Sequence, residues 1–295
     1  MRGVEGKKQK SPWVEVSLLL AVLLLGTNPV AVKAAVLEIP PLPFVALRFT
    51  VAGLLALGVA GLLGVAGGVG RRDLLSMIGV GVVGVGLNNT FFTLGVSQTT
   101  ASTTALIYAA VPVWGMILGS VLGLERPTRR GILGVALAIF GVAVIVYGGL
   151  GSEGTSLTGD FLVVGATVCW SSYAVFSLPL LRRHPPLTVA AYTMLFGGLF
   201  AAVLAVPLFG RVEWADVGGG AWVAALYSTV LVAAFGFAAW QRGISSIGAN
   251  RVLVYQYLIT LTGVIASVLF LGEGFGIEKV IGGVILLGGV YLARS

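Results

Sequence analysis

Residues 115–134 read GMILGSVLGLERPTRRGILG, and residues 263–282 read GVIASVLFLGEGFGIEKVIG. The two stretches align without a gap at an offset of 148 positions, and each passes from an apolar run through leucine and glycine to a glutamate, Glu125 or Glu273. The same offset aligns Gly134 with Gly282. A repeat that relates one half of the chain to the other predicts that the two halves share one fold.

Long apolar runs extend from these stretches over nearly the whole chain. Of the 295 residues, 57% are hydrophobic and 10% are charged, whereas about 25% of the residues in a soluble domain are charged. At roughly 20 residues per membrane-spanning helix, the runs predict an all-α polytopic membrane protein with ten transmembrane helices. The predicted spans are Pro12 to Leu37, Pro43 to Val65, Asp73 to Val96, Ala101 to Leu124, Thr128 to Gly149, Gly159 to Leu181, Leu187 to Phe209, Val217 to Gly243, Ala249 to Leu271 and Ile277 to Ala293.

Each half of the repeat contains five spans, and an odd number forces the halves to cross the membrane in opposite directions. We therefore expect two inverted five-helix repeats, residues 12–149 and 159–295, after a basic tail of residues 1–11. Inverted repeats are a transporter architecture, with the substrate site near the midplane between the halves.

The basic residues predict the orientation of the spans. Of the 18 Lys and Arg residues, fourteen fall on the side of the amino terminus: Arg2, Lys7, Lys8, Lys10, Arg71, Arg72, Arg126, Arg129, Arg130, Arg182, Arg183, Arg242, Arg251 and Arg294. Loops rich in Lys and Arg face the cytoplasm. We therefore expect a multi-pass protein of the cell (inner) membrane with both termini in the cytoplasm.

The scarcity of reactive residues argues against several functional classes. Cys169 and His184 are each the only residue of their kind, so we expect no metal site and no cofactor. An intramembrane enzyme would need titratable partners at mid-membrane depth, where we place no acidic residue. The charge of +7 follows the topology rather than indicating nucleic acid. The expected partners are a small-molecule substrate and the lipid bilayer, in a monomer or a homodimer.

Several short motifs are spread over both halves of the chain: Gly26-Thr27-Asn28 followed by Lys33, Leu47-Arg48-Phe49, Pro112, Leu122-Gly123-Leu124-Glu125 with Gly131, Gly134 and Gly141, and Phe270-Leu271-Gly272-Glu273 with Gly282 and Gly289. In these motifs the chain resembles the drug/metabolite transporter superfamily, specifically the EamA-type ten-helix exporters, which include the YddG-like amino-acid exporters. Thr260 stands where the second copy would repeat Pro112. The resemblance implies export of amino acids, small metabolites or lipophilic cations through a cavity between spans one to four and six to nine, with spans five and ten at the periphery.

Polar and aromatic side chains inside spans are the candidates for substrate contacts. Amides without partners are costly in hydrocarbon, so they either line a cavity or bond to a neighbouring helix. Aromatic residues recur at helical spacing on the sixth and seventh spans. The predicted substrate-binding residues are Asn28, Asn89, Trp170, Tyr173, Tyr192, Gln241 and Gln256.

Two basic residues, Lys33 and Arg48, fall within spans and near their outer ends. Long basic side chains at such positions either snorkel to the interface or form an outer gate or a carboxylate contact. The sequence thus predicts a carrier that works by alternating access and exports small amphipathic metabolites, with apolar or aromatic amino acids favoured. An exporter of lipophilic drugs or cations and a passive channel are the alternatives.

Overall fold

The computed structural model describes residues 12–123, 128–149, 154–248, 252 and 255–294, and these residues form helices and connections without a strand. The prediction of an all-α membrane protein is confirmed. Eight of the described helices are long and apolar enough to cross a membrane, a shorter apolar helix follows them, and one further helix completes ten. They are α1 Pro12–Val36, α2 Pro41–Leu62, α3 Arg71–Gln98, α4 Ala101–Val121, α5 Arg129–Gly148, α6 Leu157–Leu181, α7 Pro186–Phe209, α8 Gly219–Ile247, α9 Tyr255–Leu271 and α10 Ile277–Arg294.

Three of the ten helices are interrupted near their middle. α3 contains a π-helical turn at Val82–Leu87, and α8 contains one at Tyr227–Gly236, the equivalent position of the second half. α4 is broken between Tyr108 and Val111, because Pro112 lacks an N–H and its ring clashes with a continuing helix. The equivalent position in α9 is Thr260, and α9 is continuous. Glu125 and the start of the predicted ninth span at Ala249 lie outside the described residues.

Glycine contacts between α5 and α10 show how the two halves are related. A Cβ on Gly141 of α5 would strike the backbone of Leu286 on α10, and a Cβ on Gly289 of α10 would strike the backbone of Ala138 on α5. Position 141 plus 148 is 289, and position 286 minus 148 is 138. The repeat therefore converts the first contact into the second. Farther along the pair, Gly134 meets Ala293, so α5 and α10 run antiparallel. Helices that correspond to each other therefore point in opposite directions, as the inverted repeat requires.

The contacts between α2 and α7 repeat this symmetry at an offset of 145. Gly53 lies against the backbone of Leu195, and Gly198 lies against the backbone of Thr50. A third exchange relates the α3–α6 contact to the α8–α1 contact, since Gly95 on α3 packs on Val163 of α6 and Gly243 on α8 packs on Leu18 of α1. Positions in α1 and α2 therefore correspond to positions 145 residues later, and positions in α3 to α5 to positions 148 residues later.

The two ends of the helix bundle contain different charged residues. At the end that we call the arginine end, Nη1 of Arg183 donates to Oδ1 of Asp73 at 2.6 Å, and Nε2 of His184 lies 2.7 Å from Oδ2 of Asp73. At the opposite end, which we call the lysine end, Lys33 lies in the last turn of α1 and Lys279 lies in the first turn of α10.

Candidate functional site

A central cavity lies between the two halves, about midway along the helices. Its walls come from α1 to α4 in the first half and from α6, α8 and α9 in the second, and its volume is about 60 Å³. α5 and α10 contribute no lining residue, and neither does α7, although the resemblance to the exporters places α7 around the cavity. The lining residues are Leu25, Gly26, Asn28, Pro29, Arg48, Asn88, Asn89, Phe92, Thr104, Ala105, Tyr108, Trp170, Phe237, Gln256, Ile259 and Thr260.

Arg48 is the charged group of this cavity. Its Nη2 donates to Oδ1 of Asn28 at 3.1 Å, and its Nε donates to the backbone carbonyl of Ser228 at 3.1 Å. The hydroxyl of Ser228 donates to the same Asn28 oxygen at 2.8 Å. The guanidinium also lies 4.7 Å from the centroid of the Phe49 ring. No acidic side chain of the described residues is within ion-pair distance of Arg48, and its Nη1 has no hydrogen-bond partner.

Arg48 lies deeper than its place near the outer end of α2 suggested. The sequence left snorkelling to the interface, an outer gate and a carboxylate contact open; Arg48 is 1% exposed and lines the central cavity, so it does not snorkel to the interface. The first turns of α2 are themselves enclosed by α7 and α8, which the position of a residue within one span does not reveal. Burial of a cation without a carboxylate is costly, and this cost makes Arg48 a candidate for function.

Amides and hydroxyls form the polar part of the remaining wall. Nδ2 of Asn88 donates to the carbonyl of Ala166 at 2.7 Å and to the hydroxyl of Tyr108 at 3.1 Å. Nδ2 of Asn89 donates to the carbonyl of Val85, inside the π-helical turn, and to Oδ1 of Asn88. These bonds fix the orientation of both amides in the part of the cavity wall that α3 contributes.

Two other polar groups of the wall have no partner. Oε1 of Gln256 and the hydroxyl of Thr260, both on α9, are buried without a hydrogen bond. Polar groups that are buried and unsatisfied are rare in folded proteins. Both residues line the cavity, so a bound ligand would supply the missing hydrogen-bond partner.

Aromatic rings form the apolar part of the wall. Trp170 and Phe237 lie 5.1 Å apart in an edge-to-face arrangement, and Trp170 stacks on Tyr173 at 5.5 Å. Phe92 and Tyr108 form an edge-to-face pair at 5.5 Å on the side of the first half. An apolar wall with a few aimed polar groups suits an amphipathic organic ligand.

The structure brings four of the seven predicted substrate-binding residues to the cavity: Asn28, Asn89, Trp170 and Gln256. Tyr173 and Gln241 lie outside the lining; the hydroxyl of Tyr173 bonds to Thr193 at 3.0 Å, and Oε1 of Gln241 accepts a bond of 3.5 Å from Ser177. Tyr192 is far from the site, because its helical face turns toward the α2–α3 connection, where its hydroxyl donates to Ala66 at 3.4 Å. Three further lining residues, Phe92, Tyr108 and Phe237, were not among the predicted substrate-binding residues. Each lies in a span with other polar or aromatic side chains, which was a signal that could have identified them.

The chain matches the model of a known family in both halves. The EamA-like transporter family matches residues 12–147 and again residues 157–295. The chain belongs to this family. The uncharacterized transporter YyaM of Bacillus subtilis is 26% identical over 228 residues, which cover 76% of this chain and 74% of that protein. A probable terminal-alkyne amino-acid exporter of Streptantibioticus cattleyicolor is 30% identical over 245 residues, covering 83% of this chain and 81% of that protein.

The fold of this EamA-like transporter is shared with a solved structure. A crystal structure with 21% sequence identity superimposes with a TM-score of 0.68, over 95% of this chain and 96% of its own. Because the relatives of the family are transporters, the chain is a membrane transporter of the drug/metabolite type and not an enzyme.

A second polar cluster of this EamA-like transporter lies at the lysine end. The carboxylate of Glu273 accepts hydrogen bonds from the backbone N–H of Ala101 at 2.7 Å and of Ser102 at 2.8 Å, which begin α4. An anion is stabilised at a helix N-terminus. Lys33 donates to the carbonyl of Thr99 and lies 4.0 Å from Glu273. Glu273 and Lys33 therefore hold α1, α4 and α9 together.

Lys279 and Asp160 extend this cluster to α10 and α6. Lys279 falls in the predicted tenth span; it is 5% exposed, and its Nζ donates to the hydroxyl of Ser102 at 2.9 Å and to the carbonyl of Gly274 at 3.1 Å. Asp160, in the first turn of α6, accepts a hydrogen bond of 2.6 Å from Thr99. Five helices thus meet in one polar cluster at this end.

Proposed function

We propose that the chain is a carrier that exports small amphipathic metabolites, above all amino acids with apolar or aromatic side chains, by alternating access. The observation that carries this proposal is the composition of the central cavity, whose lining combines the buried Arg48 with the aromatic pair Trp170 and Phe237. A zwitterion needs a donor for its carboxylate, and an apolar side chain needs an apolar wall. The amino-acid exporter among the relatives supports the same substrate class.

The inverted repeat supports alternating access as the mechanism. Two halves that pack through glycine contacts can rock against each other around a central site. In the described conformation the lysine end is held by Glu273, Lys33 and Lys279. We propose that these bonds form the closed outer gate and that they separate when the substrate leaves. A passive channel would not need such a cluster.

The driving force follows from the lining residues. No Asp, Glu or His is among the residues that line the central cavity, and proton-coupled carriers commonly relay protons through such groups within the membrane. We propose that export follows the concentration gradient of the substrate itself.

We also propose that the arginine end faces the cytoplasm of the cell (inner) membrane, as the positive-inside pattern predicts.

Ligand-induced thermal stabilisation of the purified transporter tests the substrate class. A ligand that binds only the folded state raises the unfolding temperature. We expect stabilisation by phenylalanine and leucine, no stabilisation by tetraphenylphosphonium, and loss of the phenylalanine effect in Gln256→Leu. Stabilisation by the lipophilic cation alone would favour export of lipophilic cations and contradict the proposal.

A further inference from the structure

We propose that Arg48 and Asn28 form a carboxylate subsite on the first half of the cavity, and that this subsite selects carboxylates and zwitterions against amines. The inference rests on the proposed function and deepens it, because it assigns each end of the substrate to one half of the transporter. It also removes lipophilic cations from the substrate class.

The first observation is that Arg48 has bonding capacity to spare. Two of its donors are used by neutral acceptors, Asn28 and Ser228, while Nη1 is buried without a partner in the wall of the cavity. Its positive charge has no acidic neighbour among the described residues. A guanidinium binds a carboxylate with two parallel hydrogen bonds and is rarely left buried and unpaired. A substrate carboxylate would supply both the missing acceptor and the missing negative charge.

The second observation is that the internal symmetry of the fold is broken at this point. At the offset of 145 that relates α1 and α2 to α6 and α7, Arg48 corresponds to Thr193 and Asn28 corresponds to Tyr173. The hydroxyl of Tyr173 bonds to Oγ1 of Thr193 at 3.0 Å, as Asn28 bonds to Arg48 at 3.1 Å. The two halves therefore contain equivalent pairs, but only the pair of the first half carries a charge. Position 25, leucine in the first half, becomes Trp170 in the second.

This asymmetry orients an amphipathic substrate. The carboxylate lies toward Arg48 in the first half, and the apolar side chain lies toward Trp170 and Phe237 in the second. The unpartnered Oε1 of Gln256 and hydroxyl of Thr260 are neutral acceptors for an ammonium group. They do not neutralise a cation, so an amine without a carboxylate meets the uncompensated charge of Arg48.

Competition with the native transporter in proteoliposomes tests the charge preference. The flux of labelled phenylalanine is measured at neutral pH against 3-phenylpropionate, which lacks the ammonium group, and 2-phenylethylamine, which lacks the carboxylate. We expect half-inhibition by 3-phenylpropionate at a concentration about tenfold or more below that of 2-phenylethylamine. Equal inhibition, or stronger inhibition by the amine, would overturn the proposal while leaving amino-acid transport established. Absence of any phenylalanine flux would contradict the proposed function instead.

Substitution of Arg48 tests the assignment to this residue. In Arg48→Gln we expect phenylalanine flux to fall about ten- to hundredfold and the ratio of inhibition to shift toward the amine. Arg48→Lys keeps the charge but loses the paired donors, so the flux falls while the preference for the acid remains. Arg211→Gln, which removes an exposed cation from the α7–α8 connection, serves as the matched control. An unchanged preference in folded Arg48→Gln would contradict the assignment.

Discussion

Nη2 of Arg48 donates a hydrogen bond of 3.1 Å to Oδ1 of Asn28, and this bond joins α2 to α1 in the wall of the central cavity. Asn28 accepts a second bond from Ser228 on α8 through the same oxygen. One amide oxygen thus connects three helices from both halves. The bond leaves the charge of Arg48 unneutralised, which is the condition that our account of substrate binding requires.

Replacement of Asn28 by aspartate should separate stability from transport. In Asn28→Asp an internal carboxylate pairs with Arg48 and occupies the place that we assign to the carboxylate of the substrate. We expect the unfolding temperature to stay equal or to rise, and phenylalanine flux to fall about tenfold or more. Asn28→Leu, which removes the acceptor, should instead lower the free energy of unfolding by about 1–3 kcal/mol. Full transport by a stable Asn28→Asp variant would contradict the role of Arg48.

The glycine contacts between α5 and α10 predict a symmetric pair of stability effects. In Gly141→Leu and in Gly289→Leu the new side chain meets the backbone of the opposite helix, so the helices must separate. We expect each variant to lose about 1–3 kcal/mol of stability, by similar amounts, in thermal unfolding of the purified protein. Gly288 is exposed and has no atom near a new Cβ, so Gly288→Leu is the matched control. An effect in only one of the first two variants would contradict the symmetry of the contacts.

The carboxylate of Glu273 should keep the lysine end closed. Glu273→Gln replaces one of the two acceptor oxygens with an NH2 group and removes the charge beside Lys33 and the first turn of α4. We expect this end to open more often, by a factor of about 5–150 for a loss of 1–3 kcal/mol. The readout is thiol labelling of Thr104→Cys, a lining position on α4, in a Cys169→Ser background.

The exposed acid Glu213 provides the control for this experiment. Labelling of the reporter in Glu213→Gln should equal that in the parent protein. If Glu273→Gln leaves the labelling rate unchanged as well, Glu273 does not hold the gate.

Labelling of single cysteines in intact cells should show the orientation of the transporter. Gly67 in the α2–α3 connection and Gly219 at the start of α8 are both exposed, and a Cβ at either position meets no other atom. We expect Gly219→Cys to react with a membrane-impermeant reagent from outside and Gly67→Cys to react only after permeabilisation. The reverse pattern would place the arginine end outside and contradict the assigned orientation.

The sequence was sufficient for the fold because the signals for the fold are local. Apolar runs of membrane length predict helices wherever they pack, and Gly141 and Gly289 mark close contacts that the structure places at symmetric positions. Pro112 accounts for the break in α4, and Thr260 at the equivalent position is compatible with a continuous α9. Each of these inferences depends on one segment of the chain or on its repetition.

The candidate site was only partly predictable because the depth and direction of a side chain depend on neighbouring helices. Arg48 is only two turns into α2, yet α7 and α8 enclose it, whereas Tyr192 lies within a span and still faces the α2–α3 connection. Lys279, in the first turn of α10, is buried and bonds to the start of α4. Periodicity within one helix shows which residues share a face, but not what covers that face.

Counterflow in proteoliposomes tests most directly whether the central cavity carries amino acids from one side of the membrane to the other. Vesicles containing the purified transporter are loaded with unlabelled phenylalanine, and the entry of trace labelled phenylalanine is followed. A carrier that alternates between two openings predicts a transient accumulation of label above equilibrium, saturable in phenylalanine and lost in Arg48→Gln. Entry of label that is linear in concentration, with no accumulation from preloaded vesicles, would indicate a channel and contradict the account.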